Sequence, residues 1–177
     1  MHAARTTTTA TPQSEPRTDR FHDVLLLLGQ LNYTWTNTES LLIHMIAGLA
    51  KVDKETAIVI FLTLNTTRAR IDIVERLTKM QKTPAVCRRD ILEATRRLSE
   101  EAKLRNKYNH CIYSFDPDSG RGLTQSMRIF DSREEIKYGK IEELDDREMR
   151  RISESIRSLG EINRMFWAIT DRYEFPR

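Results

Sequence analysis

Residues 91–110 read ILEATRRLSEEAKLRNKYNH. Ile91, Ala94, Leu98 and Ala102 recur at spacings of three and four, the period that draws one apolar stripe along an α-helix. The next positions at that spacing are Arg105 and Asn109. A strongly polar pair thus takes over the core-facing phase at the helix's C-terminal end, with Leu104 and Tyr108 beside it as alternative core contacts. Asn106 and His110, one turn apart, fall on the adjacent face. The helix is expected from Pro84 to Tyr108, with Thr83 as its cap and Pro84 at the first helical position.

Upstream, Val24, Leu28, Leu31, Trp35, Thr38, Leu42, Met45 and Leu49 continue the same alternation. They predict one long helix over Phe21–Lys51, bent where Thr34, Thr36 and Thr38 lower the local propensity. Glu39 sits beside this stripe, pointing to water or meeting a basic partner across the bundle; water is the expectation, because carboxylates are seldom buried. Asp53 reads as an N-cap. Ala57–Leu64 reads as a buried helix, and Asn65-Thr66-Thr67 as either a break or a polar turn of one longer helix that runs on to about Gln81.

Downstream of His110 the pattern changes. Cys111–Phe115 and Met127–Phe130 are rich in strand formers, with the turn residues Asp116-Pro117-Asp118-Ser119-Gly120 between them, and Ile136–Tyr138 offers a third strand. A last helix, capped by Asp145 or Asp146, is expected to run to about Tyr173, with Met149, Ile152, Ile156, Leu159, Asn163, Phe166 and Tyr173 as its stripe. Helices with one apolar stripe each bury those stripes on one another. The expected fold is all-α: an up-and-down bundle of four to five helices over residues 21–177, with a small β-hairpin before the last helix.

The composition excludes several classes. At 177 residues, 39% hydrophobic and 31% charged, the chain suits a single globular domain. The apolar runs Val24–Gly29 and Ala57–Leu62 are too short to span a bilayer. Residues 1–20, rich in Thr, Pro, Ser and Arg, hold no apolar core of a secretory signal and read as a disordered arm. A cytoplasmic protein with two reduced cysteines, Cys87 and Cys111, is the expectation; no CxxC or Cys/His spacing suggests zinc, and neither metal nor cofactor is expected. Net charge is +3, unevenly spread. Cys87–His110 carries seven Lys/Arg against four Asp/Glu, whereas Asp131–Arg151 carries six against eight. Trp35 and Trp167 are expected in the core, and His22 and His44, without partners at useful spacing, in structural roles.

Arg105, Asn106, Asn109 and His110 are the one constellation that looks like chemistry. A guanidinium turned into a bundle must be paired or face a wet cleft. Arginine grips phosphate with a planar fork of donors, histidine moves protons near neutrality, and asparagine orients an imidazole or binds a phosphate oxygen. With 21 arginines and four histidines, about 0.5 Arg-x4-His spacings arise by chance, so the spacing draws its weight from its position at a helix end.

Arg105-Asn106-Lys107-Tyr108-Asn109-His110 resembles the R-x4-6-H motif of HEPN domains, in which a polar residue often follows the arginine. The order of elements, a long opening helix, the motif ending a later helix and a closing helix, is similar over Phe21–Tyr173. The resemblance implies a small, often dimeric helical bundle and a metal-independent endoribonuclease, of the kind used as toxins or in phage defence. Arg105 and His110 would be the catalytic pair, and Asn106 the polar motif residue. RNA would be the substrate, a second copy the partner, and a cognate antitoxin or neighbouring protein a further one. One toxin subgroup places tyrosine two residues after the histidine; here Ile112 stands there, and Tyr113 follows.

Other readings stay open. Arg105 pairs with a core carboxylate such as Glu39 while His110 caps helix carbonyls; or the fold is a non-catalytic scaffold, or a nucleotide- or phosphate-binding module that uses Asn106 and Asn109. A DNA-binding regulator is weaker, because no short helix-turn-helix carries a basic recognition helix.

Overall fold

The computed structural model describes residues 17–116, 119, 121–131 and 133–177. The expected arm lies outside them as far as residue 16, and helix already begins at Arg17. In chain order the elements are α1 (Arg17–Glu39), α2 (Leu42–Ala50), α3 (Lys54–Thr63), α4 (Thr67–Thr78), α5 (Ala85–Asn109), β1 (Cys111–Phe115), β2 (Gly122–Ser126), β3 (Ile129–Asp131), β4 (Ile136–Tyr138), β5 (Ile141–Glu143) and α6 (Asp146–Arg172). The chain is thus mostly helical, with strand structure inserted before the last helix.

The single helix expected over Phe21–Lys51 is two. Side-chain hydroxyls compete for the backbone where it breaks: Thr38 Oγ1 donates to the Thr34 carbonyl at 2.7 Å and Ser40 Oγ to that of Asn37 at 3.0 Å. The Leu41 amide then bonds three residues back, to Thr38, and the ladder restarts as α2. Asn65-Thr66-Thr67 is a break, with Thr66 accepting from the Ala69 amide as the cap of α4. Asp53 caps α3 and Asp145 caps α6, each accepting from the amide three residues on. Thr83 does not cap α5; Pro84 occupies the cap position without a side-chain bond.

Glu39, expected in water, is buried. Arg70 reaches it from α4 at 3.2 Å, and Thr67 donates to it at 2.5 Å. Arg70 Nε also donates to the carbonyls of Phe61 and Leu64 at 3.2 and 2.9 Å, closing the end of α3. A buried carboxylate with this many partners is tolerated, and it is unavailable to Arg105.

The core runs between α1, α5 and α6, around the fully buried Leu31, Trp35, Ile91, Leu98, Ile152, Leu159, Ile162 and Phe166, and continues under α2 and α4 through Leu42, Met45, Ile46 and Val74. On α6 the buried face also takes Ser155, Ile169 and Thr170, while Asn163 is half-buried and donates to Thr38 Oγ1 at 3.4 Å. Trp167, expected in the core, is 37% exposed, with its ring 5.2 Å from that of His44. His44 itself is buried, its Nδ1–H donating to the Pro176 carbonyl at 2.6 Å as the C-terminal segment folds back over α2.

The expected hairpin is larger and differently paired. β1 pairs antiparallel with β2, Cys111 opposite Ser126 and Phe115 opposite Gly122, and β2 pairs in turn with β5. Ile129 and Phe130, from the segment expected opposite β1, instead pair with β4 in a separate ribbon together with Asp131. β2 (GLTQS) holds one glycine and few strand formers, so its pairing follows from neighbours rather than from composition.

Candidate functional site at the end of α5

The C-terminal turns of α5 are pinned from beneath. Tyr108, not Arg105, carries the core contact: it is buried, and its hydroxyl donates to Glu148 Oε2 at 2.6 Å. Lys107 and Arg151 donate to the same carboxylate at 2.7 and 2.6 Å. Burial works against the Glu148 charge, yet these donors outweigh it and hold its carboxyl down at about 2. Burial and the neighbouring Glu148 charge push the Tyr108 phenol far up, so it stays a donor. Tyr113 on β1 donates to the Tyr108 carbonyl, and Cys111 Sγ to the Lys107 carbonyl at 2.9 Å. Burial pushes the Cys111 thiol up, which fits a packed thiol rather than a nucleophile.

On this support the four predicted residues divide. Arg105 is half-buried, its guanidinium over the Trp35 ring at 5.5 Å from the centroid. With the Asn109 amide turned so that its oxygen faces the arginine, Arg105 Nε and Nη2 donate to Asn109 Oδ1 at 2.9 and 3.0 Å. Asn109 Nδ2 then donates to Asn32 Oδ1 on α1 at 2.9 Å, and Asn32 donates to the Leu28 carbonyl at 3.1 Å. Arg105 Nη1 donates to Asn106 Oδ1 at 3.2 Å. Every polar partner in this cradle is neutral, and Arg105 makes no ion pair among the described residues.

His110 ends α5 and is exposed. Its carbonyl accepts from the Met127 amide at 2.8 Å, which ties the connector between β2 and β3 to the helix end. A cleft of about 290 Å³ lies along this seam, lined by Lys103, Asn106, Lys107 and His110 from the end of α5, by Ser126 and Glu142 from β2 and β5, and by Arg128 and Lys140 from the connectors that precede β3 and β5. Asn106 belongs to both halves, bonding Arg105 and lining the cleft; Arg105 and Asn109 are not among the lining residues.

Sequence reasoning missed Asn32, Trp35 as the surface under Arg105, and the strand side of the cleft. Asn32 carried a weak signal, a polar residue next to the buried Leu31 and three before the buried Trp35. Arg128 and Lys140 carried none, because only the pairing of the strands brings them to the cleft that His110 lines. Gly139 marks the crossing: a Cβ there would lie 1.8 Å from the Ser126 carbonyl oxygen, so only glycine lets the chain before Lys140 pass so close.

Among the described residues no group of three or more His, Cys, Asp or Glu is placed to hold a metal ion, and no helix is long and apolar enough to cross a membrane. Compared with protein-family models, with curated proteins and with solved structures, the chain matches none.

Proposed function

We propose that this chain is a metal-independent endoribonuclease of the HEPN type, an up-and-down helical bundle acting on RNA in the cytoplasm as a toxin or defence effector. The observation that carries the reading is the neutral cradle around Arg105. Arg70, a largely buried structural arginine, is neutralised by Glu39; Arg105 is oriented by Asn106 and Asn109 and keeps its whole charge for an anion from outside.

In the proposed reaction the ribose 2′-oxygen attacks the adjacent phosphorus and the 5′-oxygen leaves, giving a 2′,3′-cyclic phosphate and a 5′-hydroxyl. Arg105 stabilises the charge that grows on the phosphoryl oxygens. His110 takes the 2′-hydroxyl proton or gives one to the leaving oxygen. One imidazole does not fill both roles in a single step, so a second copy supplies the other histidine across a composite site. On its free side α1, which contributes Asn32 and Trp35, exposes Leu25, Leu26 and Tyr33, an apolar surface beside the site suited to that second copy.

A second reading, a phosphate-binding module without catalysis, is favoured by one observation: Arg105 is not among the residues lining the His110 cleft. Incubation of the protein with a mixed RNA pool in EDTA separates the two. Cleavage leaving cyclic-phosphate ends, lost in folded His110→Ala and Arg105→Ala, supports the nuclease. A silent wild type, or His110→Ala cutting as well as wild type, overturns it in favour of the binding module.

A further inference from the structure

The cleft beside His110 carries more positive charge than its own carboxylate neutralises. Four cationic side chains, Lys103, Lys107, Arg128 and Lys140, face one lining carboxylate, Glu142. Two of the four are already engaged: Lys107 bonds Glu142 and Glu148, both at 2.7 Å, and Lys140 reaches Glu142 at 3.1 Å. Lys103 and Arg128 make no ion pair among the described residues. They approach from opposite walls, Lys103 from α5 and Arg128 from the β2–β3 connector held to the His110 carbonyl. A cleft that leaves unpaired cations on both its helix and its strand side suits the repeated phosphates of a single strand rather than a neutral or cationic ligand.

We infer that this cleft is the track for the RNA backbone, with Lys103 and Arg128 binding phosphates that flank the one presented to His110. Lys140 is a weaker third contact, drawn back by Glu142. The inference rests on the nuclease reading for the identity of the strand, but its residues lie outside the Arg105–His110 pair and its test reads binding, not turnover.

The probe is a fluorescein-labelled 2′-O-methyl RNA 12-mer, which keeps the phosphates and lacks the attacking hydroxyl. Its affinity is measured by anisotropy across a salt series for wild type, Lys103→Ala, Arg128→Ala and, as a control on the exposed face of α4, Arg68→Ala, each checked for folding by circular dichroism. Removing one phosphate contact lowers the slope of log affinity against log salt by about 0.7 for a single strand. The expected result is that drop, with weaker binding at low salt, in Lys103→Ala and Arg128→Ala but not in Arg68→Ala. Wild type that fails to bind the 12-mer at low salt overturns the inference, as do equal slopes in all four proteins. Cleavage of unmodified RNA by the same set keeps the two ideas apart. Slope changes without any cleavage sink the nuclease reading and leave the track standing; cleavage with unchanged slopes sinks the track alone.

Discussion

Arg105 lies over the indole of Trp35, 5.5 Å from its centroid, and the Trp35 Nε1–H beneath it is buried without a hydrogen-bond partner among the described residues. The ring is therefore held by packing, and it serves Arg105 as a flat apolar floor with a cation–π attraction on the order of 1 kcal/mol. Trp35→Phe keeps an aromatic floor and removes the unsatisfied donor but leaves a partial cavity, so a loss of about 1–2 kcal/mol is expected with cleavage retained. Trp35→Ala is expected to cost about 3–5 kcal/mol in urea unfolding. A Trp35→Phe protein that folds normally yet loses cleavage would show that the indole does more than support.

The two oriented arginines separate stability from chemistry. Glu39→Ala strands Arg70 in a largely buried setting and is expected to cost about 3–5 kcal/mol, because the partner charge is left uncompensated. Arg105→Ala gives up neutral partners and the ring contact, about 1 kcal/mol, while cleavage falls by roughly 100-fold or more. Chemical denaturation of both variants, with RNA cleavage alongside, checks this pairing. Equal destabilisation by the two would mean that Arg105 is structural after all.

Glu148 gives the fold an acid limb. Its carboxyl is held at about 2 in the folded chain, against an ordinary value of 4.5. A depressed folded value contributes stability above the unfolded value, and that contribution is lost as pH falls from about 5 toward 2. The shift corresponds to about 3 kcal/mol at most. Wild-type stability is expected to fall across that window, and Glu148→Gln, less stable at neutral pH, is expected to show a shallower fall. Parallel curves for the two proteins would place the acid limb elsewhere.

If the site is composite, the exposed apolar side of α1 matters. Leu26→Glu and Tyr33→Glu put charge on side chains that are 60% and 74% exposed, so a lone protomer tolerates both. Sedimentation of wild type at about twice the 20.8 kDa chain mass, with both variants at the single-chain mass and unable to cleave, is the expected outcome. Wild type running at the single-chain mass at micromolar concentration would remove the two-histidine mechanism.

Much of the helical frame is legible in spacing, because burial imposes a 3.6-residue period on whichever side chains face inward. Ile91, Ala94 and Leu98 are buried as that period requires. The period loses its hold at element ends, where hydrogen bonds decide. Tyr108 rather than Arg105 takes the last core position because its phenol finds Glu148, 40 residues away. The break at Ser40 arises from hydroxyls whose choice of carbonyl no apolar pattern reports. Trp167 reaches the surface because His44 and the returning C-terminal segment, not the core, meet its ring. The motif itself is visible because its members lie within six residues of one another. The opposite wall of the cleft is not, since Arg128 and Lys140 come to line it only through strand pairing and the close crossing at Gly139.

The bond from the Met127 amide to the His110 carbonyl stitches helix to strands where the cleft opens. Local opening follows the weakest seam of a fold, and its free energy is read by the exchange of the amide protons that the seam protects. The Met127 proton is therefore a built-in gauge of how often the two walls part. Deuterium uptake there, set against that of Leu98 in the middle of α5, measures the breathing of the cleft separately from the melting of the bundle.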